Sequence, residues 1–212
     1  MTTAPVLPAA DPILRPISLK LPTPLGDAEL LWLSAHNEGL HFEQTAGGVL
    51  VLSPPTGGRG NRGEIELVTQ LDNWNKRTNF GVVLGISGGV LLPKGGQYEP
   101  DTAPISRAAW DAVPIERRDD GFVPVLPTAV FELLSPANLG TTGYTKEFTL
   151  KLEDYKRSEV PLVVLLHPKT KRAVIGRPGC ADETFGAKVL AFPELPGLEL
   201  DVAAIYAAVN TP

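Results

Sequence analysis

One acidic residue inside an apolar run places the tightest constraint on the fold of this chain. Residues 128–134 read Thr-Ala-Val-Phe-Glu-Leu-Leu, a pattern typical of a β-strand. Because successive side chains of a strand point to opposite faces, Glu132 shares a face with Val130 and Leu134. A carboxylate there is costly unless it is paired, metal-bound or at a wet sheet edge. The run therefore predicts either an acid held at a site by a rigid strand or an edge strand from which Glu132 reaches water.

Length and composition suit a single folded domain. The chain has 212 residues, 43% of them hydrophobic, which is enough for a sizeable core. The lone cysteine, Cys180, excludes an intrachain disulfide and a thiolate zinc site, and three histidines leave little room for a His-rich metal centre. A net charge of −5 argues against indiscriminate nucleic-acid binding but leaves room for a local basic groove.

The N-terminal segment has a composition of its own. Residues 1–24 are proline-rich and lack the basic start and apolar stretch of a secretory signal. We expect them to form an arm, partly ordered against one domain formed by residues 25–212. No run approaches the roughly 18 apolar residues of a membrane span. We therefore expect a cytoplasmic protein without a membrane partner.

Strand and helix patterns mix along the chain without strict alternation. Helical patterns cover residues 28–36, 61–78, 106–113, 145–158 and 201–208. Strand patterns cover residues 49–52, 82–86, 90–92, 102–105, 128–134, 162–166, 173–175, 188–191 and 195–200. This order favours an α/β fold, with helices packed on a sheet of mixed direction.

Asp101 is a second carboxylate at a strand position. It follows Pro100 and opens a short strand, although most aspartates in such turns are solvated caps. If the strands of Asp101 and Glu132 are neighbours, the two carboxylates converge and repel unless a cation lies between them. Oxygen ligands suit Mg²⁺ or Mn²⁺. Without metal, Glu132→Gln should then raise the melting temperature.

Lys151 is predicted on the buried face of the helix at 145–158. Phe148, Leu152 and Tyr155 define that face, and Lys151 lies three residues after Phe148 and four before Tyr155. An inward-pointing lysine usually extends its aliphatic stem until the ammonium reaches water. The alternative is that the ammonium meets the carboxylates at the strand ends.

The helix at 61–78 carries charged residues at its start. Spacing by three predicts an inward stripe of Ile65, Val68, Leu71 and Trp74. Glu64 lies at the N-terminal end of this stripe, where the helix dipole favours an ordinary acid of the first turn. Arg59 and Arg62 lie beside it and either meet phosphates or form a solvated face.

Two glycine motifs lack the context that their usual functions require. Residues 58–63 fit G-x-G-x-x-G, but residues 73–98 contain no acid that would bind a ribose. Residues 85–89 fit G-x-S-x-G, but a strand pattern follows where a nucleophile elbow needs a helix. We therefore expect neither dinucleotide binding nor a serine hydrolase.

A set of short motifs follows a fixed order between about residues 38 and 206. The motifs are Ser53–Gly58, Gly60-Asn61-Arg62, Glu64-Ile65, Leu92-Pro93, Pro100-Asp101, Phe131-Glu132-Leu133, Ser135-Pro136, Lys151–Tyr155, the strand ending at Pro168, and Leu195-Pro196-Gly197. Together they resemble the Uma2 family of endonucleases in the PD-(D/E)xK superfamily. The resemblance implies a restriction endonuclease-like core, with a central mixed sheet flanked by helices.

The resemblance also implies a metal site for Mg²⁺ or Mn²⁺. Asp101 matches the metal-binding aspartate of the family, and Glu132 matches the glutamate of its second motif. The main-chain carbonyl of Leu133 would complete the ligand set, and Glu64 matches the acid of the first helix.

The catalytic lysine implied by the resemblance lies on a helix. The superfamily usually places it two residues after the glutamate, where this chain has Leu134. Lys151 matches the lysine of a Lys-x-x-x-Tyr helix, and a shift in the alignment would assign the role to Lys146 instead.

These residues lead us to expect a metal-dependent endonuclease that hydrolyses DNA phosphodiester bonds. The expected catalytic residues are Glu64, Asp101, Glu132 and Lys151, and the expected nucleic-acid contacts are Arg59 and Arg62. A homodimer, expected from the superfamily, would place two sites for cutting both strands. The alternatives are a catalytically silent nuclease fold that binds nucleic acid, and a metal-free enzyme that uses the carboxylate pair on a sugar.

Overall fold

The computed structural model describes residues 15–119, 121–139, 143–186 and 188–210. The helices in these ranges are α1 Asp27–His36, α2 Gly58–Thr78, α3 Arg107–Asp111, α4 Lys146–Arg157 and α5 Val202–Asn210. The strands are β1 Ile17–Lys20, β2 His41–Gln44, β3 Val49–Ser53, β4 Gly81–Leu84, β5 Val90–Leu91, β6 Gln97–Tyr98, β7 Ala103–Ser106, β8 Val123–Pro124, β9 Ala129–Leu133, β10 Leu162–His167, β11 Arg172–Gly176, β12 Glu183–Phe185, β13 Val189–Phe192 and β14 Leu195–Asp201. The predicted α/β class is confirmed. None of the described helices combines the length and apolar character that a membrane crossing requires.

Two sheets provide most of the framework. The four-stranded sheet has the order β12-β11-β10-β9, in which β9 and β10 are parallel and the other pairs are antiparallel. The six-stranded sheet has the order β1-β3-β2-β6-β5-β8. A single antiparallel bridge joins Thr102 to Phe131 on the free side of β9. This register places Asp101 level with Glu132 and brings the two predicted acids together.

The side chains of β9 alternate between two hydrophobic clusters. Phe131 and Leu133 pack with α2 and α5 on one face, and Val130 and Leu134 pack with α4 on the other. Glu132 lies on the second face and is only 5% exposed. The alternative in which Glu132 reaches water from an edge strand is therefore wrong.

Helix α2 begins earlier than the pattern predicts, and its buried stripe is shifted by one residue. The helix starts at Gly58 rather than Asn61, and its buried residues are Gly63, Glu64, Leu67, Leu71 and Trp74. Ile65, predicted to face inward, is 53% exposed. Glu64 is consequently a buried residue of the second turn and not a solvated acid of the first.

Helix α1 begins at Asp27, one residue earlier than its helical pattern predicts. Gly26 occupies the cap position, and its N–H donates to the Glu29 carboxylate at 2.7 Å. The Asp27 carboxylate instead accepts hydrogen bonds from Gln97 and Arg117, both at 2.5 Å. Asp27 therefore ties α1 to β6 and to the segment that contains Arg117.

Part of the predicted N-terminal arm lies outside the described residues, namely residues 1–14. Residues 17–20 form β1, which pairs antiparallel with β3 at the edge of the six-stranded sheet. The Ser18 hydroxyl also donates to Glu147 on α4 at 2.8 Å. The division into an arm and a single domain from residue 25 stays a prediction.

Gly63 sets the distance between α2 and its neighbours. A Cβ atom at this position would lie 2.3 Å from Val209 Cγ2 and 2.6 Å from Leu133 Cδ2. Both distances are far inside van der Waals contact, so α2 packs this closely on α5 and β9 because residue 63 has no side chain. The close approach also fixes the start of α2 beside the end of β9.

Gly63→Ala should lower the free energy of unfolding by about 1–3 kcal/mol, because the added Cβ overlaps the Val209 and Leu133 side chains and forces them to shift. Urea denaturation would measure this change. Gly58→Ala is the matched control, since a Cβ at Gly58 meets no atom within 4 Å. Equal stability of the two variants would contradict the close packing.

Candidate active site

One large open cavity brings together side chains from distant parts of the chain. It has a volume of about 1730 Å³ and is lined by β2, the start of α2, the end of β9, α4, α5 and the β10–β11 turn. The predicted site residues that line it are Arg59, Glu64, Asp101, Glu132, Leu133 and Lys151. Arg62 is exposed and does not line the cavity, so the expected phosphate contact at this residue has no support from its position.

The ammonium of Lys151 lies between two carboxylates. Its Nζ is 2.8 Å from Glu43 Oε1 and 2.9 Å from Glu132 Oε1, and it donates to the Glu99 carbonyl at 3.3 Å. The Lys151 side chain is 9% exposed, so the predicted inward orientation is confirmed and extension into water is wrong. Lys146, the alternative, is exposed and lies outside the cavity lining.

The charge of Lys151 follows from this environment. Burial lowers the pKa of the ammonium, but the negative charges of Glu132 and Glu43 outweigh burial and raise that pKa above its ordinary value. The rings of Tyr98 and Tyr155 lie 5.7 and 6.0 Å from Nζ. Lys151 is therefore a fixed cation and not a proton acceptor.

Glu132 is held by two residues one helical turn apart. Lys151 and Tyr155 occupy positions i and i+4 of α4, and the Tyr155 hydroxyl donates to Glu132 Oε1 at 2.8 Å. Burial raises the pKa of Glu132, and Lys151 and Tyr155 oppose this rise. The orientation of the carboxylate is thus fixed from one side by α4.

Glu43 is a site residue that the sequence analysis missed. It lies on β2, and its Oε1 accepts hydrogen bonds from Lys151 Nζ and from the Glu99 N–H, each at 2.8 Å. The residues His-Phe-Glu-Gln at 41–44 alternate in burial, which places His41 and Glu43 on one face. This alternation was the available signal, but four residues with two charged side chains do not stand out as a strand.

Asp101 stabilises the free edge of β9. Its Oδ2 accepts the Leu133 N–H at 2.5 Å. Burial, and then the negative charges of Glu132 and Glu64, hold the pKa of Asp101 well above its ordinary value. Asp101 is therefore not a solvated turn cap.

Glu64 has an oxygen without a partner. It is 4% exposed, and in the described part of the chain its Oε2 is buried and accepts no hydrogen bond. Burial raises the pKa of Glu64, and hydrogen bonds from Thr56 and Asn61 oppose this rise. Such an oxygen is costly in a purely structural role, because burying a polar atom without a partner costs free energy.

His41 and Glu99 extend the site beyond the predicted residues. His41 Nδ1 lies 2.8 Å from Glu99 Oε2, and both residues line the cavity. The hydrogen bond to Glu99 raises the pKa of His41, against the opposing effect of burial. Neither residue was singled out from the sequence as part of a site.

The donor set of the cavity is suited to a hard divalent cation. The groups available as ligands offer only oxygen atoms: Asp101, Glu132, Glu64 and the Leu133 carbonyl. A cation would also supply the partner that Glu64 Oε2 lacks. Among the described residues, however, no group of three or more His, Cys, Asp or Glu side chains forms a metal-binding cluster. Since Mg²⁺ typically uses one or two carboxylates with water and substrate phosphates, the residues fit an open Mg²⁺ site and not a closed cage.

Comparisons with known proteins agree on a family and a fold. The sequence model of the Uma2 family, described as "Putative restriction endonuclease", matches residues 27–203. A crystal structure of a "putative nuclease belonging to DUF820" from Anabaena variabilis is similar, with 17% identity, 88% of this chain and 99% of that chain covered, and a TM-score of 0.66. No curated protein matches the chain significantly. The structural similarity confirms the restriction endonuclease-like fold.

Lys151→Met should reduce the free energy of unfolding by about 3–5 kcal/mol, because it leaves Glu43 and Glu132 buried without their cation. Urea denaturation at neutral pH would measure the loss. Lys156→Met is the control, since the Lys156 ammonium pairs with Asp182 but is 53% exposed, and its removal should change stability by less than about 1 kcal/mol. Similar losses in both variants would show that the buried cation contributes no more than a surface ion pair.

Asp101→Asn should raise the melting temperature of the metal-free protein at neutral and higher pH. Because folding raises the pKa of Asp101, its neutral form is favoured in the folded state. The stability that this raised pKa contributes is fully present when the pH is below the pKa of Asp101 in the unfolded chain. It is lost as the pH rises through the pKa of Asp101 in the folded protein. Asparagine does not ionise and still accepts the Leu133 N–H.

Melting curves from pH 4 to pH 9 in EDTA would test this difference. The two proteins should converge in acid and separate as the pH rises, and parallel profiles would contradict the raised pKa. Asp101 is a cleaner position for this test than Glu132, because Glu132→Gln also removes an ion-pair partner of Lys151. The increase in melting temperature that the sequence predicts for Glu132→Gln therefore does not follow from the structure.

Proposed function

The chain belongs to the Uma2 family, and we propose that it is a divalent-metal-dependent endonuclease that hydrolyses DNA phosphodiester bonds. The family description supports a nuclease-type function. The observation that carries the finer proposal is the fixed cation of Lys151 beside Glu132 and Asp101 in an open cavity. A phosphodiester nuclease needs such a combination, because it must bind a metal and also stabilise negative charge on the phosphate.

The proposed ligands of Mg²⁺ or Mn²⁺ are Asp101, Glu132 and the Leu133 carbonyl. Glu64 would contribute through its unpartnered oxygen, directly or through a water molecule. A bound metal ion supplies a Lewis acid for the scissile phosphate and lowers the pKa of the attacking water. The chain itself holds the acids in place through the Thr102–Phe131 bridge and the contacts from α4.

Lys151 has an electrostatic role in this proposal. Because its pKa is raised, it does not remove a proton from water at neutral pH. Its ammonium orients the attacking water or stabilises charge that develops on the phosphate oxygens. Glu43 also holds the ammonium in place, through its own ion pair with Lys151.

The charge distribution of the cavity supports a nucleic-acid substrate. Five exposed basic residues line the cavity around the acidic centre and form what we call the basic rim: Arg15, Arg59, Lys169, Lys171 and Lys188. In the described part of the chain, Lys169, Lys171 and Lys188 have no carboxylate within ion-pair distance. Free lysines can bind backbone phosphates, and a local basic rim of this kind is compatible with an overall charge of −5.

The proposed reaction also bears on the oligomeric state of the protein. Cutting both strands of a duplex would require two sites, and we propose a homodimer for this reason. Cytoplasmic location stays a prediction.

A second candidate is a catalytically silent nuclease fold that binds nucleic acid. It is favoured by the ion pairs of Lys151, which partly compensate Glu43 and Glu132 in the absence of metal. A protein of this kind would bind nucleic acid through the basic rim but would not cleave it.

Wild-type protein should cleave plasmid DNA with Mg²⁺ or Mn²⁺ and lose this activity in EDTA. Asp101→Asn and Glu132→Gln should each reduce cleavage at least about a hundredfold, because each removes a metal ligand. Glu153→Gln is the control, since Glu153 is an exposed residue of α4 outside the cavity. Gel assays of single-turnover cleavage would measure the rates.

The same samples separate the proposal from its alternatives. A hundredfold excess of metal over its Kd should stabilise the wild type by about 2.7 kcal/mol. DNA binding and metal stabilisation without cleavage would favour the silent fold. Full activity in EDTA would favour metal-free acid–base chemistry and would overturn the proposal.

A further inference from the structure

A histidine–carboxylate pair adjoins the proposed metal site without any role in it so far. His41 Nδ1 lies 2.8 Å from Glu99 Oε2, and a carboxylate only accepts, so Nδ1 carries a proton. The second ring nitrogen, Nε2, is then the one left for another partner. The His41 side chain is 35% exposed and lines the cavity, so the ring is accessible to a substrate.

Glu99 connects this pair rigidly to the catalytic centre. Its side chain binds His41, its N–H donates to Glu43 at 2.8 Å, and its carbonyl accepts from Lys151 at 3.3 Å. Glu43 and Lys151 are in turn the ion pair beside Glu132. A single residue, Glu99, therefore links His41 to the Lys151–Glu43 ion pair and fixes the position of the His41 ring relative to that pair.

The surroundings of His41 favour its protonated form. Glu99 faces it from the segment after β6, Glu43 from its own strand and Glu64 from α2, and all three are negatively charged when ionised. The charge of Lys151, which binds the Glu99 carbonyl, is compensated by Glu43 and Glu132. An imidazolium in such a setting is a proton donor and not a proton acceptor.

We propose that His41 is a catalytic residue that donates the Nε2 proton to the leaving oxygen of the phosphodiester, with Glu99 as its positioning residue. This inference rests on the proposed nuclease function. As water bonds to phosphorus and releases one proton to solvent, the bond from phosphorus to the leaving sugar oxygen breaks, and that oxygen takes the Nε2 proton and departs as an alcohol. The imidazole then regains a proton from solvent, and no oxidation or reduction is involved.

A sulfur atom in place of the leaving oxygen tests this role directly. A thiol has a pKa near 8.5, so a thiolate leaves without being protonated, whereas a sugar alkoxide does not. The cleavage position is first mapped with wild-type protein, and an oligonucleotide with bridging sulfur at that position is then prepared. His41→Gln and Glu99→Gln are compared with wild type on both substrates, and His36→Gln, an exposed histidine of α1, is the control.

His41→Gln should slow cleavage of the oxygen substrate by about 10²–10⁴-fold and should cleave the sulfur substrate at nearly the wild-type rate. Wild-type activity on the oxygen substrate should fall as the pH rises through the His41 pKa, and this fall should be absent with the sulfur substrate. Equal slowing on both substrates would show a structural or phosphate-binding role and would overturn this inference alone. A wild type that cleaves neither substrate would overturn the proposed function as well.

A second readout does not depend on cleavage. In an NMR titration of the histidine rings, Glu99→Gln should lower the His41 pKa, and melting curves would confirm that the variants are folded. A His41 pKa that is the same with and without the Glu99 carboxylate would contradict the positioning role of Glu99.

Discussion

The buried ammonium of Lys151, held between Glu43 and Glu132, is the interaction on which the rest of the site depends. Glu132 is a buried carboxylate, and burial raises its pKa. The Lys151 ammonium opposes this rise and also pairs with Glu43, and Tyr155 fixes Glu132 from the same helix. The site is therefore already organised in the protein alone.

This arrangement is compatible with the proposed polyanionic substrate despite the overall acidic charge of the protein. The negative charges are gathered at the centre, where a divalent ion and Lys151 would offset them, and the basic rim surrounds them at the surface. A metal ion would reduce the repulsion that Asp101 experiences from Glu132 and Glu64. Substrate phosphate and water would then supply the ligands that the described side chains do not provide.

Much of the fold and part of the candidate site can be predicted from the sequence, and the difference between the two has a physical basis. Glu132 and Lys151 stand out because a charge on an apolar strand or helix face violates a strong local pattern. Glu43 and His41 lie on a four-residue strand, and their side-chain partners Lys151 and Glu99 are distant in sequence, so no local rule distinguishes them from surface residues. The local pattern alone favours a solvated first-turn acid at Glu64, because α2 starts three residues earlier than that pattern predicts. Tertiary contacts, rather than propensity, decide these positions.

The central claim is that Asp101 and Glu132 share a divalent ion in the cavity that Lys151 organises. Anomalous diffraction from a crystal soaked in Mn²⁺ tests it most directly. We predict a single strong peak between the Asp101 and Glu132 carboxylates, next to the Leu133 carbonyl, with Lys151 still paired to Glu43. An empty cavity at saturating Mn²⁺, or a peak only at surface carboxylates, would contradict the account.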